Sequence, residues 1–506
     1  MPATVLDRPA VGLSRVEKIA AVVVIFGVAF LARLIPTLAG GGLFGLHFYD
    51  AGVHYAAAPG LVNGRMPYRD FLLLHPPGIV VLLAPFAAVG QLIGDARGFA
   101  LARLAFMVLG GINAVLVARF LRPVGIFAAW LGGLTYALFF PSLYSEHTVL
   151  LEGPANTCLL IALILLTPVV AGATPTRAGL VVSGVLLGFA LSIKIWGVVP
   201  IFLLFGWLVY RFGIRPAVVF LASSAAATTA VCLPFFVTAP ATMWRMVVLD
   251  QIQRNDTGFR PFERFNELAG LSLYRPPDRL SLLLVVAWGL LTAATIVAAL
   301  VPRTRFSVIL LLGLIAMLLM TPSWFLHYSA LTAPLFAIVI GAAGQWLLGR
   351  RGIRDRRYLR IGLGAALVAG LVGASAPVAS ASIGTTFPGR SLHAAVAARP
   401  GCVTSDHPSA LILMNVLSRN LDRGCTLVVD LGGASYHLDS PQRGVTSRRK
   451  NVVFQAYALE YLGTGDTTIL ARFRRNYGLS TKTFRIIAKW PTVTKAGRYV
   501  LHEPPR

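Results

Sequence analysis

Between His47 and Gly78 the chain reads HFYDAGVHYAAAPGLVNGRMPYRDFLLLHPPG, a polar, aromatic and charged interval directly after the first strongly apolar segment. If Asp50 to Leu61 is helical, Asp50 and His54 share a face, because residues four apart are neighbours on a helix. Asp50 opens that helix, where exposed N–H groups keep a carboxylate ionised and able to accept a proton. Tyr68, Arg69, Asp70 and His75 follow, with Pro67, Pro76 and Pro77 fixing turns between them. Such a set suits a base-assisted attack by a hydroxyl group, with His54, Tyr68, Arg69, Asp70 and His75 binding substrate. An ordinary outer loop with a capping aspartate is the competing reading.

Other ionisable residues stand at the edges of apolar runs, where a charge is costly and is a functional candidate by default. They are Tyr144-Ser145-Glu146-His147 with Glu152 just beyond, Lys194, the interval 239–279, and Thr321 to Tyr328 with His327. Lys194 is the only lysine between Lys18 and Lys450, in a chain whose usual cation is arginine. A lysine that snorkels to the interface is its plain alternative; otherwise it waits for an anion. The interval 239–279 carries Arg245, Arg254, Arg260, Arg264, Arg275 and Arg279, interleaved with Trp244, Phe259, Phe262, Phe265 and Tyr274. Cations among aromatics suit a phosphate headgroup or a stacked sugar, and equally an acidic lipid surface. Displacement of a phosphate leaving group calls for fixed cations, for which Lys194, Arg260 and Arg264 are the candidates. Glu152 is placed to steady an oxocarbenium-like centre, and His327 and Tyr328 to orient donor or acceptor.

These residues need a membrane scaffold. Hydrophobic residues make up 56% of the chain and charged ones 13%, which places it among integral membrane proteins. A net charge of +25 invites a nucleic-acid partner, but arginines in short loops between apolar runs explain it better, so no nucleic acid is expected. The runs are Ile19–Ala39, Phe99–Ala118, Val124–Phe140, Pro154–Val170, Leu180–Ile193, Trp196–Tyr210, Ala217–Val237, Leu280–Leu300, Phe306–Met320, Ser329–Leu348 and Ile361–Ala381, giving eleven expected spans. The first is long enough to stay as an anchor rather than be removed as a signal peptide. Ile79–Ile93 is read as a helix that lies in the interface or dips into the outer leaflet. With it left out, Arg119/Arg122, Arg177, Arg211/Arg215, Arg303/Arg305 and the basic run Arg350–Arg357 all fall on the cytoplasmic side. The N-terminus is then cytoplasmic, and the polar segments above share the outer face of the plasma membrane.

Residues 1–381 form the expected transmembrane domain, with a first outer loop over 40–96 and a second over 239–279. From Ser382 composition shifts to that of a soluble domain, 382–506, read as a small α/β unit outside the membrane from segments such as Ala410–Leu417, Thr426–Leu431, Val452–Leu462 and Phe484–Ile487. Cys402 and Cys425 are its only cysteines, and an oxidising compartment favours a bridge between them. Cys158 and Cys232 fall inside apolar runs as packing residues. Asp406-His407 and Asp430 lack further ligands at zinc spacing. No P-loop, strand-coupled GxGxxG or internal repeat is present, which argues against an ATP-driven pump.

The order of these pieces resembles the GT-C membrane glycosyltransferases, nearest the branch of protein O-mannosyltransferases and lipid A aminoarabinose transferases. It is carried by Tyr49 to Tyr55 (YDAGVHY), Gly64 to Phe71 (GRMPYRDF), His75-Pro76-Pro77, Ser145 to Pro154 (SEHTVLLEGP) and Gly188 to Lys194 (GFALSIK), within about the first 200 residues. The resemblance implies a GT-C-like α-helical polytopic fold. It implies transfer of a sugar from a polyprenyl-phosphate donor to a lipid, glycan or protein acceptor, by an inverting hexosyl- or pentosyltransferase. By it Asp50 matches the acidic residue of the first outer loop, Glu152 an acidic position after the third span, and Lys194 a basic residue facing the carrier phosphate. Many relatives carry a second acidic residue directly after the first. Here it is Ala51, which weakens a carboxylate-pair metal site and leaves a divalent metal cofactor open. A transporter or flippase for a lipid-linked or polar solute is the alternative. Against it, the chain shows no pair of related halves, and its polar residues load one side.

Overall fold

The computed structural model describes residues 15–170, 173–254, 259–270, 282–348, 383–397, 399–438, 448–471 and 478–505, with Tyr358 and Gly362. Helices dominate the first part of the chain: α1 (Arg15–Ala39), α2 (Tyr49–Val62), α3 (Gly78–Ile93), α4 (Asp95–Leu121), α5 (Ile126–Leu138), α6 (Phe140–Glu146), α7 (Glu152–Val170), α8 (Arg177–Ile193), α9 (Val198–Phe212) and α10 (Ile214–Phe236). Then come the short α11 (Pro240–Trp244) and α12 (Asp250–Ile252), α13 (Pro261–Leu268), α14 (Leu282–Leu300), α15 (Arg305–Met320) and α16 (Ala333–Leu348).

Four helical stretches are long and apolar enough to cross a membrane: Arg15–Ala39, Asp95–Leu121, Ile195–Phe212 and Ile214–Phe236. A fifth counts if α5 and α6 are one span, bent by 55°. Each apolar run from Ile19–Ala39 to Ser329–Leu348 coincides with an apolar helix or with this bent pair. The bend falls at the end of the span expected over Val124–Phe140. At the break, Phe139 is extended, at φ −70° and ψ 123°, and Pro141 cannot donate into the preceding turn. Ile361–Ala381, apart from Gly362, lies outside the described residues, as do the basic run Arg350–Arg357 and Arg275, Arg279 and Tyr274.

Close packing follows small residues. Gly184 and Gly188, four apart on α8, press on the Phe220 and Ser224 carbonyls of α10, and a Cβ at either position would collide with that backbone. This small-x-x-x-small spacing lets helix backbones approach within an apolar medium. α3 has 16 residues, between the short stretches that mark interfacial or buried helices and a full span, and it packs between α2 and α4.

The C-terminal part is a small α/β unit. β1 (Val403–Ser405), β2 (Thr467–Ile469), β3 (Thr492–Ala496) and β4 (Tyr499–His502) form one sheet in the order β1-β2-β4-β3, with β1 and β2 parallel and the other pairs antiparallel. Helices Gly389–Ala397, Pro408–Leu413, Val452–Gly463 and Thr481–Ala488 accompany it. Phe484–Ile487 and Val452–Leu462 are thus helical, while Thr426–Leu431 is irregular. Cys402 and Cys425 are bridged, tying β1 to the segment after Leu417–Asp422.

This unit does not stand apart from the helices. Leu411, Ile412, Leu413 and Met414 belong to one apolar cluster with Tyr55, Ala58, Leu83 and Phe99 of α2, α3 and α4. Gly52 on α2 abuts Ser409 so closely that a Cβ would collide with it. Polar contacts lock the seat: Ser418 donates from N to Asp95 Oδ2 (3.0 Å), Ala96 N donates to Asn415 Oδ1 (2.9 Å), and Gly432 N donates to the Tyr49 hydroxyl (2.7 Å).

Candidate active site

Asp50 is the second residue of α2, in its first turn, with its side chain in a cavity of about 190 Å³. The cavity is walled by Phe48 and Tyr49 beside it, by Leu74 and His75 from the following loop, and by Tyr144 of α6. Arg254, just past α12, faces it, as do Phe325, His327 and Tyr328 from the link between α15 and α16. Asp430, Gly433, Tyr436 and Arg448 of the C-terminal unit complete the lining. Four segments remote in sequence from Asp50 therefore converge on the cavity that holds it.

Behind Tyr328 lies a buried ion pair. Lys194, the C-cap of α8, donates from Nζ to Glu152 Oε1 at the first residue of α7. Ser145 Oγ donates to the other Glu152 oxygen at 3.2 Å. The Lys194 ammonium sits 4.1 Å from the centroid of the Tyr328 ring, whose hydroxyl accepts from Arg254 Nη1 at 3.4 Å. Tyr328 thus has a cation on its face and another at its hydroxyl. The unpaired ammonium expected from the sequence is accordingly a paired one. Burial explains this, since a lone charge out of water costs several kcal/mol and takes the nearest carboxylate.

His327 Nε2 lies 3.9 Å from Glu152 Oε1, close enough to count as an ion pair by distance alone. Burial lowers its pKa against the pull of Glu152, and Lys194 adds to the lowering. At neutral pH we therefore read a neutral imidazole, a hydrogen-bonding group rather than a second cation. His75 is held well below the ordinary histidine range, by burial first and by His54 and Arg254 after it. Its ring meets that of His54 at 5.4 Å, and His54 Nδ1 lies 3.0 Å from the Val149 carbonyl. In the same lining, burial raises the Asp430 pKa, opposed by the Gly433 N–H (2.6 Å) and by Arg448.

Not every expected residue reaches this place. Arg69 and Asp70 pair with each other at 2.8 Å on the surface, and Asp70 Oδ2 accepts from Met66 N at 2.7 Å, fixing the loop. Tyr68 is buried with φ +70° and donates to the His75 carbonyl at 2.7 Å, so it shapes the turn that presents His75. Arg260 is exposed at the N-cap of α13 and does not line the cavity. Arg264 is turned inward, donating from Nη1 to the Leu319 (3.1 Å) and Thr321 (2.6 Å) carbonyls, where α15 leaves acceptors unsatisfied. Arg254 takes the cavity position expected of those two. Glu146, expected at the outer face, points into the helices and accepts from Arg33 Nη2 (2.6 Å), Tyr136 (2.6 Å) and Asn113 (2.7 Å).

No protein-family model matches the chain, and no curated protein matches it. Solved structures do. ArnT from Cupriavidus metallidurans bound to undecaprenyl phosphate aligns with a TM-score of 0.60 at 14% identity, over 96% of this chain and 98% of that one. Its apo state aligns with 0.62 at 13% identity over the same shares. The archaeal oligosaccharyltransferase AglB from Archaeoglobus fulgidus, in complex with an inhibitory peptide and a dolichol-phosphate, aligns with 0.56 at 12% identity, over 90% of this chain and 69% of that one. At such identities the likeness is one of fold.

Proposed function

We propose that this chain, which has the fold of the GT-C glycosyltransferases, is an integral-membrane glycosyltransferase that moves a sugar from a polyprenyl-phosphate donor to a hydroxyl acceptor. The observation that carries the reading is the placement of Asp50 in a cavity lined by Arg254, His327 and Tyr328, against the Lys194–Glu152 pair. The acceptor oxygen attacks the anomeric carbon, its proton passes to Asp50, and the bond from that carbon to the phosphate oxygen breaks with its electron pair leaving on the carrier phosphate. Attack from the side opposite the leaving group inverts the anomeric centre. Arg254 and Lys194 are the cations that take up the charge developing on the phosphate, and neutral His327 and His75 orient donor or acceptor by hydrogen bonds. Glu152 holds Lys194 in place and adds negative potential near the anomeric carbon as positive charge develops there.

The orientation is part of the same proposal: eleven spans, a cytoplasmic N-terminus, and the cavity and residues 382–506 outside. Arginine placement supports it. Lys482 is exposed on the C-terminal unit, so a Lys482→Cys protein in intact cells is expected to react with a membrane-impermeant thiol reagent. Reaction only after lysis would invert the topology.

The activity is tested by incubating purified protein with a panel of polyprenyl-phosphate sugars and a mixture of lipid, glycan and peptide acceptors, and following release of free polyprenyl phosphate. Release that requires protein and depends on the sugar supports the reading. Undiminished donor across the panel, with the same protein moving a lipid-linked sugar between vesicle leaflets, would replace it with the transporter reading.

A further inference from the structure

A second cavity, of about 200 Å³, opens between α1, α4 and α5 at the end of the bundle where α1 begins. Ala21, Val22 and Ile25 of α1 and Val115 and Ala118 of α4 make an apolar wall, continued by Ile126 and Ala129 of α5. Val22 and Ile126 are 48% and 40% exposed, so the groove faces outward rather than into the core. Arg119 and Arg122 stand at its mouth with Trp130. They are three apart at the C-terminal end of α4, hence neighbours on one face. Among the described residues neither guanidinium has a hydrogen bond, ion pair or ring contact with protein, and the Trp130 indole N–H has no acceptor.

We propose that this groove binds one anionic glycerophospholipid, its phosphate held by Arg119 and Arg122 and one acyl chain laid along α1 and α5. The pairing of chemistries selects that occupant. Two adjacent guanidiniums match a phosphate diester, an indole favours the headgroup level, and the wall beyond them is purely aliphatic. A free phosphate would leave that wall uncovered, and a zwitterionic lipid would set its own cation against two arginines. In the orientation proposed above the groove opens to the cytoplasmic leaflet, on the face opposite the Asp50 cavity. The lipid site stands whether or not the transferase reading does, since it uses none of the same residues.

The test uses the full chain in mild detergent, titrated with phosphatidylglycerol or with phosphatidylcholine of the same acyl chains, and bound lipid counted by native mass spectrometry. Wild type is expected to retain phosphatidylglycerol in preference to phosphatidylcholine, and Arg119→Gln/Arg122→Gln to lower its affinity about 30-fold, leaving phosphatidylcholine unaffected. Val22→Trp keeps both arginines but fills the groove from α1, and is expected to reduce phosphatidylglycerol retention as well. Equal binding of the two lipids by wild type would overturn the proposal. So would a Val22→Trp protein that keeps phosphatidylglycerol as wild type does, because the arginines would then act without the groove.

Discussion

Arg33 and Glu146 form an ion pair in which the carboxylate is saturated, whereas Lys194 and Glu152, just as far from solvent, form one with room left. Glu146 takes bonds from Arg33, Tyr136 and Asn113, and Arg33 also donates to the Ala29 carbonyl at 2.7 Å. Nothing can enter without displacing one of them. Glu152 has one close cation and one hydroxyl, and the Lys194 ammonium turns its remaining donors toward the face of Tyr328, the ring that also borders the Asp50 cavity. A closed network of this kind specifies packing, while an under-filled one beside a cavity leaves a cation able to answer a new anion.

If that contrast is right, removing one partner of the closed pair is a structural injury. Arg33→Met leaves Glu146 buried and uncompensated, and is expected to cost about 3–5 kcal/mol, seen as a large fall in the unfolding midpoint in detergent. A variant as stable as wild type would erase the distinction between the two pairs. Asp50→Asn probes the cavity itself. It keeps size and polarity but removes the base, so transfer should fall by about 10²-fold or more with the unfolding midpoint held. Near wild-type turnover would reduce Asp50 to a helix cap.

Lys194→Met sharpens the comparison further, because it keeps the apolar stem and deletes the charge. Affinity for polyprenyl-phosphate sugar, measured by titration, is expected to weaken by roughly 10-fold to 100-fold, with a smaller stability loss than Arg33→Met gives. Loss of stability alone, with donor affinity intact, would make the second pair another version of the first.

The smallest effect concerns Asp430, which lines the same cavity as Asp50. Its folded pKa is raised by burial, so folding favours the protonated form. The stability it contributes is complete below the ordinary carboxylate range and is lost as pH rises through the raised value. Asp430→Asn should therefore be most destabilising, relative to wild type, in acid, with the difference shrinking as pH rises through that window. Unfolding midpoints collected from pH 4 to 8 check this, and a difference that grows with pH contradicts it.

Glu152, Lys194, His327 and Tyr328 were legible as candidates in the sequence because each stands at the edge of an apolar run, where a polar group needs a reason, and Asp50 because it lies in a polar interval between two such runs. The helices were legible for the same cause. Glu146 was read as facing outward because its partner Arg33 lies 113 residues away, inside a run that hydropathy treats as uniform lipid-facing surface. Arg254 could not be told from Arg260 or Arg264 by composition, since only the packing of α13 against α15 decides which guanidinium is tied to carbonyls. Tyr436 and Arg448 gave no local signal, and Asp430 was weighed only as a metal ligand, as nothing in a soluble-looking segment announces that it will roof a cavity built by α2.

That roof bears on how the protein is made. Asp50 leaves the ribosome some 380 residues before Asp430, and Gly52 some 357 before Ser409. Until then the helix carrying Asp50 stands without its cover, and the cavity is closed on that side only when the unit that holds Asp430 docks. A nascent chain stalled within the helical part would already hold Asp50, Arg254 and His327, yet would lack the wall that Asp430, Gly433, Tyr436 and Arg448 supply. The order of translation thus leaves the cavity uncovered until residues 430–448 have been made.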